Sequence, residues 1–163
     1  MQLSTHIRTI FSVILVAFAL APAAQATTLS PTTLSQSERT LLVAVNDVRA
    51  AHNLRPLQID ATLVRAARDY SATLIRRNVL THGAMGLRLA RYGASGPLYG
   101  ENLAWGKGDR ATAQGIVRGW LASPGHRANL LRPGWTRIGI GSRSGTFLGY
   151  AGATVVTADF AGS

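Results

Sequence analysis

The chain has 163 residues, enough for one domain of ordinary size, and carries a formal net charge of +10. It contains no cysteine, which excludes disulfides, thiolate zinc sites and cysteine-based catalysis. The basic residues are arginines apart from Lys107, and they are scattered singly along the chain. No long basic run interleaves with aromatic residues, so we expect a solvated basic surface and no nucleic-acid binding.

The N-terminal segment has the pattern of a secretory signal peptide. Arg8 precedes an apolar run over Ile10–Leu20, and small residues end at Ala26, where we predict cleavage. The apolar run is about a dozen residues, short of the roughly 20 needed to cross a bilayer, and no second hydrophobic span follows. We therefore predict a secreted or periplasmic protein without a membrane span after cleavage. The predicted organisation is a signal peptide over 1–26, a short Thr/Ser/Pro linker over 27–34 and a single domain over 35–163.

Two helices are predicted in the first half of the domain. Ser35 and Glu38 form the pattern of a capping box, and apolar residues at helical spacing follow as far as about His52. Asp60 is the predicted N-cap of the second helix, whose apolar face includes Leu74. Each helix therefore has a start signal in the sequence.

The middle of the chain is rich in glycine. Residues 79–108 contain seven glycines, and we predict only a short helical turn there, near Leu87–Tyr92. A third helix is predicted over about Ala111–Leu121. Ser123 as N-cap, with Pro124 at the first helical position, predicts a further short helix.

The C-terminal third has the alternation of β-strands. One strand is predicted over Arg137–Gly141 and a second from Phe147 towards Phe160, with Ser142–Thr146 as the hairpin between them. Because the helices come first and the strands last, the sequence predicts an α+β fold. We expect about four helices packed on a small antiparallel sheet.

Three segments combine an ionisable residue with turn-forming residues, and they contain His82, Glu101 and His126. Two imidazoles and one carboxylate are the ligand set of a two-histidine, one-carboxylate metal site. His126 would lie in the first turn of its helix, where the helix dipole disfavours protonation and so favours the neutral form that a metal requires. The same residues could instead form an acid–base pair for hydrolysis, or Glu101 could be a buried acid in a structural turn.

The chain from about Leu41 to Phe160 resembles bacterial members of the CAP superfamily of cysteine-rich secretory, antigen 5 and pathogenesis-related proteins. The resemblance rests on several short motifs in a fixed order. They are Asn46 and Arg49, Pro56-Leu57, Ala66-Ala67, Thr81-His82, Gly100-Glu101-Asn102-Leu103-Ala104, Trp120, Ser123-Pro124-Gly125-His126-Arg127-Ala128-Asn129-Leu130-Leu131 and Ile138-Gly139-Ile140-Gly141.

The resemblance implies an α-β-α sandwich with a central cleft. In many relatives two histidines and two glutamates converge there and can hold a divalent ion such as zinc. Here the matching ligands are His82, Glu101 and His126, while Ser123 occupies the place of the second glutamate. Further residues of the matching motifs are expected to support the cleft: Asn102, Trp120, Arg127 and Asn129. The segments Gly83-Ala84-Met85 and Gly149–Thr154 depart from the pattern common in relatives, so the far wall of the cleft is less well specified than its loops.

Three functions are consistent with this pattern. The first is an exported, monomeric binding module for a divalent metal, a lipid or a small ligand of the envelope or exterior. The second is a metal-assisted hydrolase in which Glu101 is the general base and His82 and His126 are the ligands. The third is a structural role, in which the three side chains only join loops. A serine hydrolase is not predicted, because the chain has no Gly-x-Ser-x-Gly nucleophile elbow.

Overall fold

A computed structural model describes residues 33–162. The predicted signal peptide, its cleavage site and residues 27–32 of the predicted linker lie outside the described residues. The described elements, in chain order, are α1 (Gln36–Ala51), β1 (Gln58–Ile59), α2 (Ala61–Arg77), α3 (Met85–Arg91), β2 (Leu98–Gly106), a 3₁₀ turn (Gly108–Ala111), α4 (Ala113–Ala122), α5 (Pro124–Leu130), β3 (Trp135–Phe147) and β4 (Tyr150–Gly162).

The predicted helix starts are confirmed at both of the first two helices. The Ser35 side chain accepts a hydrogen bond from the Glu38 amide, and the Glu38 carboxylate accepts one from the Ser35 amide. Asp60 caps α2 by accepting hydrogen bonds from the amides of Thr62 and Leu63. These local signals therefore set the starts of both helices.

The four strands lie in the order β1-β3-β4-β2. The α+β class is confirmed, but the sheet is mixed, because the short β1 pairs in parallel with β3 while the other pairs are antiparallel. The predicted hairpin over Ser142–Thr146 is wrong. Those residues continue β3, and the turn follows at Leu148 and Gly149, both with positive φ, the conformation that a tight hairpin requires.

The fold has three layers, with helices on both faces of the sheet, and successive residues of β3 face the two helical layers in turn. Ile138 and Ile140 face a core shared with α1, α4 and α5. Gly139 and Gly141 face α2, whose backbone lies directly against the strand. A Cβ atom at Gly139 would come within 2.1 Å of the Leu63 carbonyl carbon. Helices α2 and α3 thus cover one face of the sheet, and α1, α4 and α5 cover the other.

Arg49 joins α1 to the segment that follows α5. Its side chain is fully buried and donates hydrogen bonds to the backbone carbonyls of Arg55, Leu130 and Arg132. A buried guanidinium is tolerated when carbonyl oxygens accept its hydrogen bonds. Arg49 therefore fixes the C-terminal end of the helix that carries His126.

Candidate ligand-binding pocket

The three residues predicted from the sequence line one pocket. It has a volume of about 390 Å³ and lies at the outer edge of β2, where the two helical layers meet. Its lining residues are His82, Glu101, Asn102, Ser123, Gly125, His126 and Asn129. His82 and Glu101 come from the α2 and α3 side, and Ser123 and His126 come from the α4 and α5 side.

Glu101 is the most buried ionisable group of the pocket, with a side chain only 1% exposed. It lies within β2, so the alternative that Gly100-Glu101-Asn102 forms a turn is wrong. One carboxylate oxygen, Oε1, is 2.7 Å from Nδ1 of His82, and the other, Oε2, is 2.5 Å from Nη2 of Arg88. Both oxygens of Glu101 are therefore engaged by protein donors.

Arg88 and Asp159 complete a buried ion network that the sequence did not reveal. Asp159 on β4 is the register partner of Glu101 on β2, so the two carboxylates share a face of the sheet. Arg88 reaches both from α3, with its Nη2 also 2.7 Å from Asp159 Oδ1, and its guanidinium stacks 3.8 Å from the Tyr70 ring centre. One cation thus bridges two buried carboxyl groups.

The pKa of Asp159 is shifted by its buried position in this network. Burial raises the pKa of Asp159 to about 8, with a further upward contribution from Glu101, although Arg88 opposes the shift. The buried site therefore favours the neutral form of Asp159, and the Arg88 contact is what opposes that shift.

The loop between α2 and α3 places His82 at the mouth of the pocket. The Tyr70 hydroxyl donates a 2.5 Å hydrogen bond to the Thr81 carbonyl, and Gly83 follows with a φ of +56°. A Cβ atom at Gly83 would lie 2.8 Å from that hydroxyl and would push it aside, and the positive φ favours glycine at this position. The His82 side chain remains 58% exposed and is available to a ligand.

A chain of amide hydrogen bonds supports His126 from below. Asn102 Nδ2 donates to the His126 carbonyl at 3.0 Å, and Asn129 Nδ2 donates to Asn102 Oδ1 at 3.0 Å. Trp135 Nε1 then donates to the Asn129 carbonyl at 2.7 Å. These bonds fix α5 against β2 and so hold the His126 backbone in place.

The other predicted supporting residues differ in their contacts. Trp120 is buried and its Nε1 donates a 3.0 Å hydrogen bond to the Leu103 carbonyl of β2. The Arg127 side chain is exposed and makes no hydrogen bond to the described part of the chain. Ser123 occupies the N-cap position of α5 as predicted, but its side chain forms no capping hydrogen bond. Its hydroxyl is therefore free to face the pocket.

The sequence matches a known protein family. The family model of the cysteine-rich secretory protein family, CAP, matches residues 42–160. The chain belongs to the CAP family. Within that family it is 35% identical over 120 residues to the uncharacterized protein YkwD of Bacillus subtilis (strain 168), covering 71% of this chain and 46% of YkwD.

Several solved structures are similar to this CAP domain, among them two from bacteria. An extracellular SCP-domain protein from Bacillus anthracis is 28% identical with a TM-score of 0.66, covering 78% of this chain and 40% of that one. An outer surface protein from Borrelia burgdorferi is 26% identical with a TM-score of 0.63, covering 79% of this chain and 95% of that one. The chain thus spans less than half the length of YkwD and of the Bacillus anthracis protein. Among residues 33–162, no helix is long and apolar enough to cross a membrane.

The metal ion that the family resemblance implies does not fit the contacts of this CAP domain. Both oxygens of Glu101 are taken up, and the Arg88 cation lies 2.5 Å from one of them, where it would repel a second cation. Within residues 33–162, no group of three or more histidine and acidic side chains is placed to hold a metal ion. A metal in this pocket stays a prediction that these contacts do not favour.

His126 is expected to make the stability of this CAP domain depend on pH. Burial lowers the pKa of His126, and the nearby His82 lowers it further, so the folded imidazole resists protonation. As the pH falls below about 6.5, the unfolded chain binds a proton at His126 more readily than the folded chain does. The contribution of His126 to the stability of the fold is therefore present above that pH and is lost on acidification. We expect the free energy of unfolding to fall less between pH 7.5 and 5.5 in a His126→Gln variant than in the wild type.

Urea unfolding at the two pH values measures this difference. The matched control is Arg127→Gln, at an exposed position on the same helix as His126, which should keep the wild-type pH dependence because arginine side chains stay charged between pH 5.5 and 7.5. An equal decline in wild type and His126→Gln would contradict the assignment.

Proposed function

We propose that this chain is an exported CAP domain that binds a small polar ligand in the pocket formed by His82, Glu101 and His126. The observation that carries the proposal is the set of polar side chains held in place around an open pocket. Glu101 is clamped between Arg88 and His82, so the exposed His82 ring is held in one orientation rather than free to move. A pocket of about 390 Å³ falls within the size range of small-molecule sites.

The pocket chemistry favours a ligand with hydroxyl, amide or carboxylate groups. His126 is neutral at physiological pH and can donate or accept one hydrogen bond. His82 presents its second ring nitrogen to solvent, and the Ser123 hydroxyl adds a group that can do both. A lipid tail has no partners for these groups, and for this reason we favour a polar ligand over a lipid in this pocket.

Binding is better supported than metal-assisted hydrolysis. That reaction needs Glu101 as a base with an accessible oxygen, and both of its oxygens already accept short hydrogen bonds. It also needs a cation beside Glu101, where Arg88 already lies. We therefore assign no catalytic role to these residues.

Export is supported by two independent observations. The N-terminal sequence has the pattern of a signal peptide. Two of the similar solved structures are named as an extracellular protein and an outer surface protein. We place the ligand in the cell envelope or outside the cell accordingly.

A fragment screen read through the histidine ring resonances tests the proposal. We expect at least one of acetate, lactate, N-acetylalanine, glycerol and N-acetylglucosamine to shift the His82 and His126 signals saturably. The Gly125→Leu variant should lose these shifts, because Gly125 lines the pocket and a Cβ atom there would meet no heavy atom within 4 Å, so a leucine adds bulk at the pocket without a clash at its Cβ. No shift with any fragment, or equal shifts in Gly125→Leu, would contradict the proposal. A rise in melting temperature on adding zinc would instead support a metal site.

A further inference from the structure

A second concave surface adjoins the pocket along the outer edge of β2. This edge groove has a volume of about 640 Å³ and shares Ser123 and His126 with the pocket. It runs between β2 and α4. Its remaining lining residues are Leu103, Ala104, Trp105, Arg110, Gly115, Ile116, Arg118, Gly119 and Trp120.

Backbone groups of β2 face this groove. β2 is an outer strand of the described sheet and pairs with β4 in a register that runs without a shift from Leu98 to Gly106. The Leu103 carbonyl accepts its hydrogen bond from Trp120 and so points away from β4. In a β-strand the N–H and C=O of one residue point to the same side, and the side alternates from residue to residue. The N–H of Leu103 and the N–H and C=O of Trp105 therefore also point away from β4. Such groups can pair with an extended peptide.

The opposite wall of the groove, on α4, has two glycines and so has no side chains at those positions. Gly115 and Gly119 are one turn apart and lie on the same face of α4. A Cβ atom at Gly119 would meet no heavy atom within 4 Å, whereas one at Gly115 would lie 2.1 Å from the Asp109 carbonyl oxygen. The glycine face therefore leaves open space beside the strand edge at Gly119.

The groove carries positive charge, which favours an occupant with negative charge. Arg110 and Arg118 both line it and are both exposed. Neither forms an ion pair with any carboxylate of residues 33–162. Beyond Trp105 the surface continues to Lys107, the only lysine of the chain. A partner with carboxylates complements these cations.

We propose that the edge groove binds a short acidic peptide in an extended conformation, added as a strand to β2 and running towards the pocket. Its backbone pairs with the N–H and C=O of Trp105, because the Leu103 carbonyl already accepts the Trp120 hydrogen bond. Its carboxylates meet Arg110 and Arg118, and its apolar side chains contact Trp105. The inference rests on the proposed function, because the groove opens into the pocket at Ser123 and His126 and the peptide end enters there.

A positional-scanning library of N-acetylated hexapeptides tests this inference on the purified protein. We expect enrichment of Asp or Glu at two or more positions. The best peptide is labelled with fluorescein, and its binding is measured by fluorescence anisotropy. We expect its affinity to fall at least tenfold when alternate amides are N-methylated and, separately, at least tenfold when the NaCl concentration is raised. It should lose at least tenfold in affinity in Gly119→Phe, which fills the groove from an open position, and in Arg110→Gln/Arg118→Gln.

The Gly125→Leu variant separates this inference from the proposed function. Acidic-peptide binding that is lost in Gly119→Phe, without any fragment shift at His82 and His126, supports the groove and counts against the pocket. Peptide binding kept unchanged in Gly125→Leu overturns the entry of the peptide end into the pocket. Fragment shifts at His82 and His126 without any enriched acidic peptide overturn the groove and leave the pocket standing. Enrichment of basic or uncharged peptides, or acidic peptides that bind Gly119→Phe as tightly as the wild type, also overturns the inference.

Discussion

Replacing Arg88 with methionine should destabilise the fold by about 3–5 kcal/mol, the cost of removing one partner from a buried ion network. Arg88 donates to both Glu101 and Asp159, whose side chains are 1% and 0% exposed. Without the guanidinium, two buried carboxyl groups lie together with no compensating charge. Methionine keeps much of the apolar length of the side chain, so the loss should come mainly from charge and hydrogen bonding.

Urea unfolding at pH 7.5 measures the change in the free energy of unfolding. Arg91→Met is the matched control, because Arg91 lies on the same helix, is exposed and forms no ion pair with the described residues. It should change stability by about 0.5 kcal/mol or less, as surface substitutions usually do. The double variant Arg88→Met/Asp159→Asn should recover part of the loss, since it removes one of the stranded acids. A cost for Arg88→Met no larger than that of Arg91→Met would show that the network contributes nothing.

Adding a single methyl group at Gly139 should be as damaging as losing the ion network. The new Cβ would lie 2.1 Å from the Leu63 carbonyl carbon and 2.4 Å from the Val64 amide nitrogen, both of them backbone atoms. Backbone cannot move aside as a flexible side chain can, so α2 must shift away from β3. Overpacking of a core typically costs about 1–3 kcal/mol and occasionally more. We expect Gly139→Ala to reach about 3 kcal/mol or to prevent folding.

Gly119→Ala is the matched control for this substitution. Gly119 is exposed within α4, and a Cβ there meets no atom within 4 Å. Alanine in a helix interior should stabilise the fold by roughly 0.5–1 kcal/mol relative to glycine. Thermal unfolding followed by circular dichroism compares the two variants directly. The close approach of α2 to β3 would be disproved if both glycines tolerated alanine equally.

Local signals in the sequence predicted the helix starts and the three pocket residues. The capping residues Ser35 and Asp60 act within their own turn, so neighbouring residues suffice to find them. His82, Glu101 and His126 were identified by their short motifs, and all three line the same pocket. They meet because their segments pack together at the outer edge of β2, an arrangement that the motifs alone do not predict.

Non-local pairing accounts for what the sequence did not predict. Strand β2 reads Leu-Tyr-Gly-Glu-Asn-Leu-Ala-Trp-Gly, without clear alternation, and it is a strand because it pairs with β4 about 60 residues later. Arg88 is one of many scattered arginines, and only the fold brings it to Glu101. Asp159 did carry a signal, since a lone acid in the apolar stretch Val155–Phe160 is costly unless it has a buried partner.

The position of β4 in the sheet also sets when the domain can fold. Residues 150–162 are the last strand of the described chain, yet β4 lies between β3 and β2 and pairs with both. Neither β2 nor the Glu101 carboxylate has its neighbours until those residues have been synthesised, and long-range pairing of this kind slows folding. Within the described residues, β2 therefore has no strand partner until β4 is in place, so the pocket at its outer edge forms only in the last step of sheet assembly.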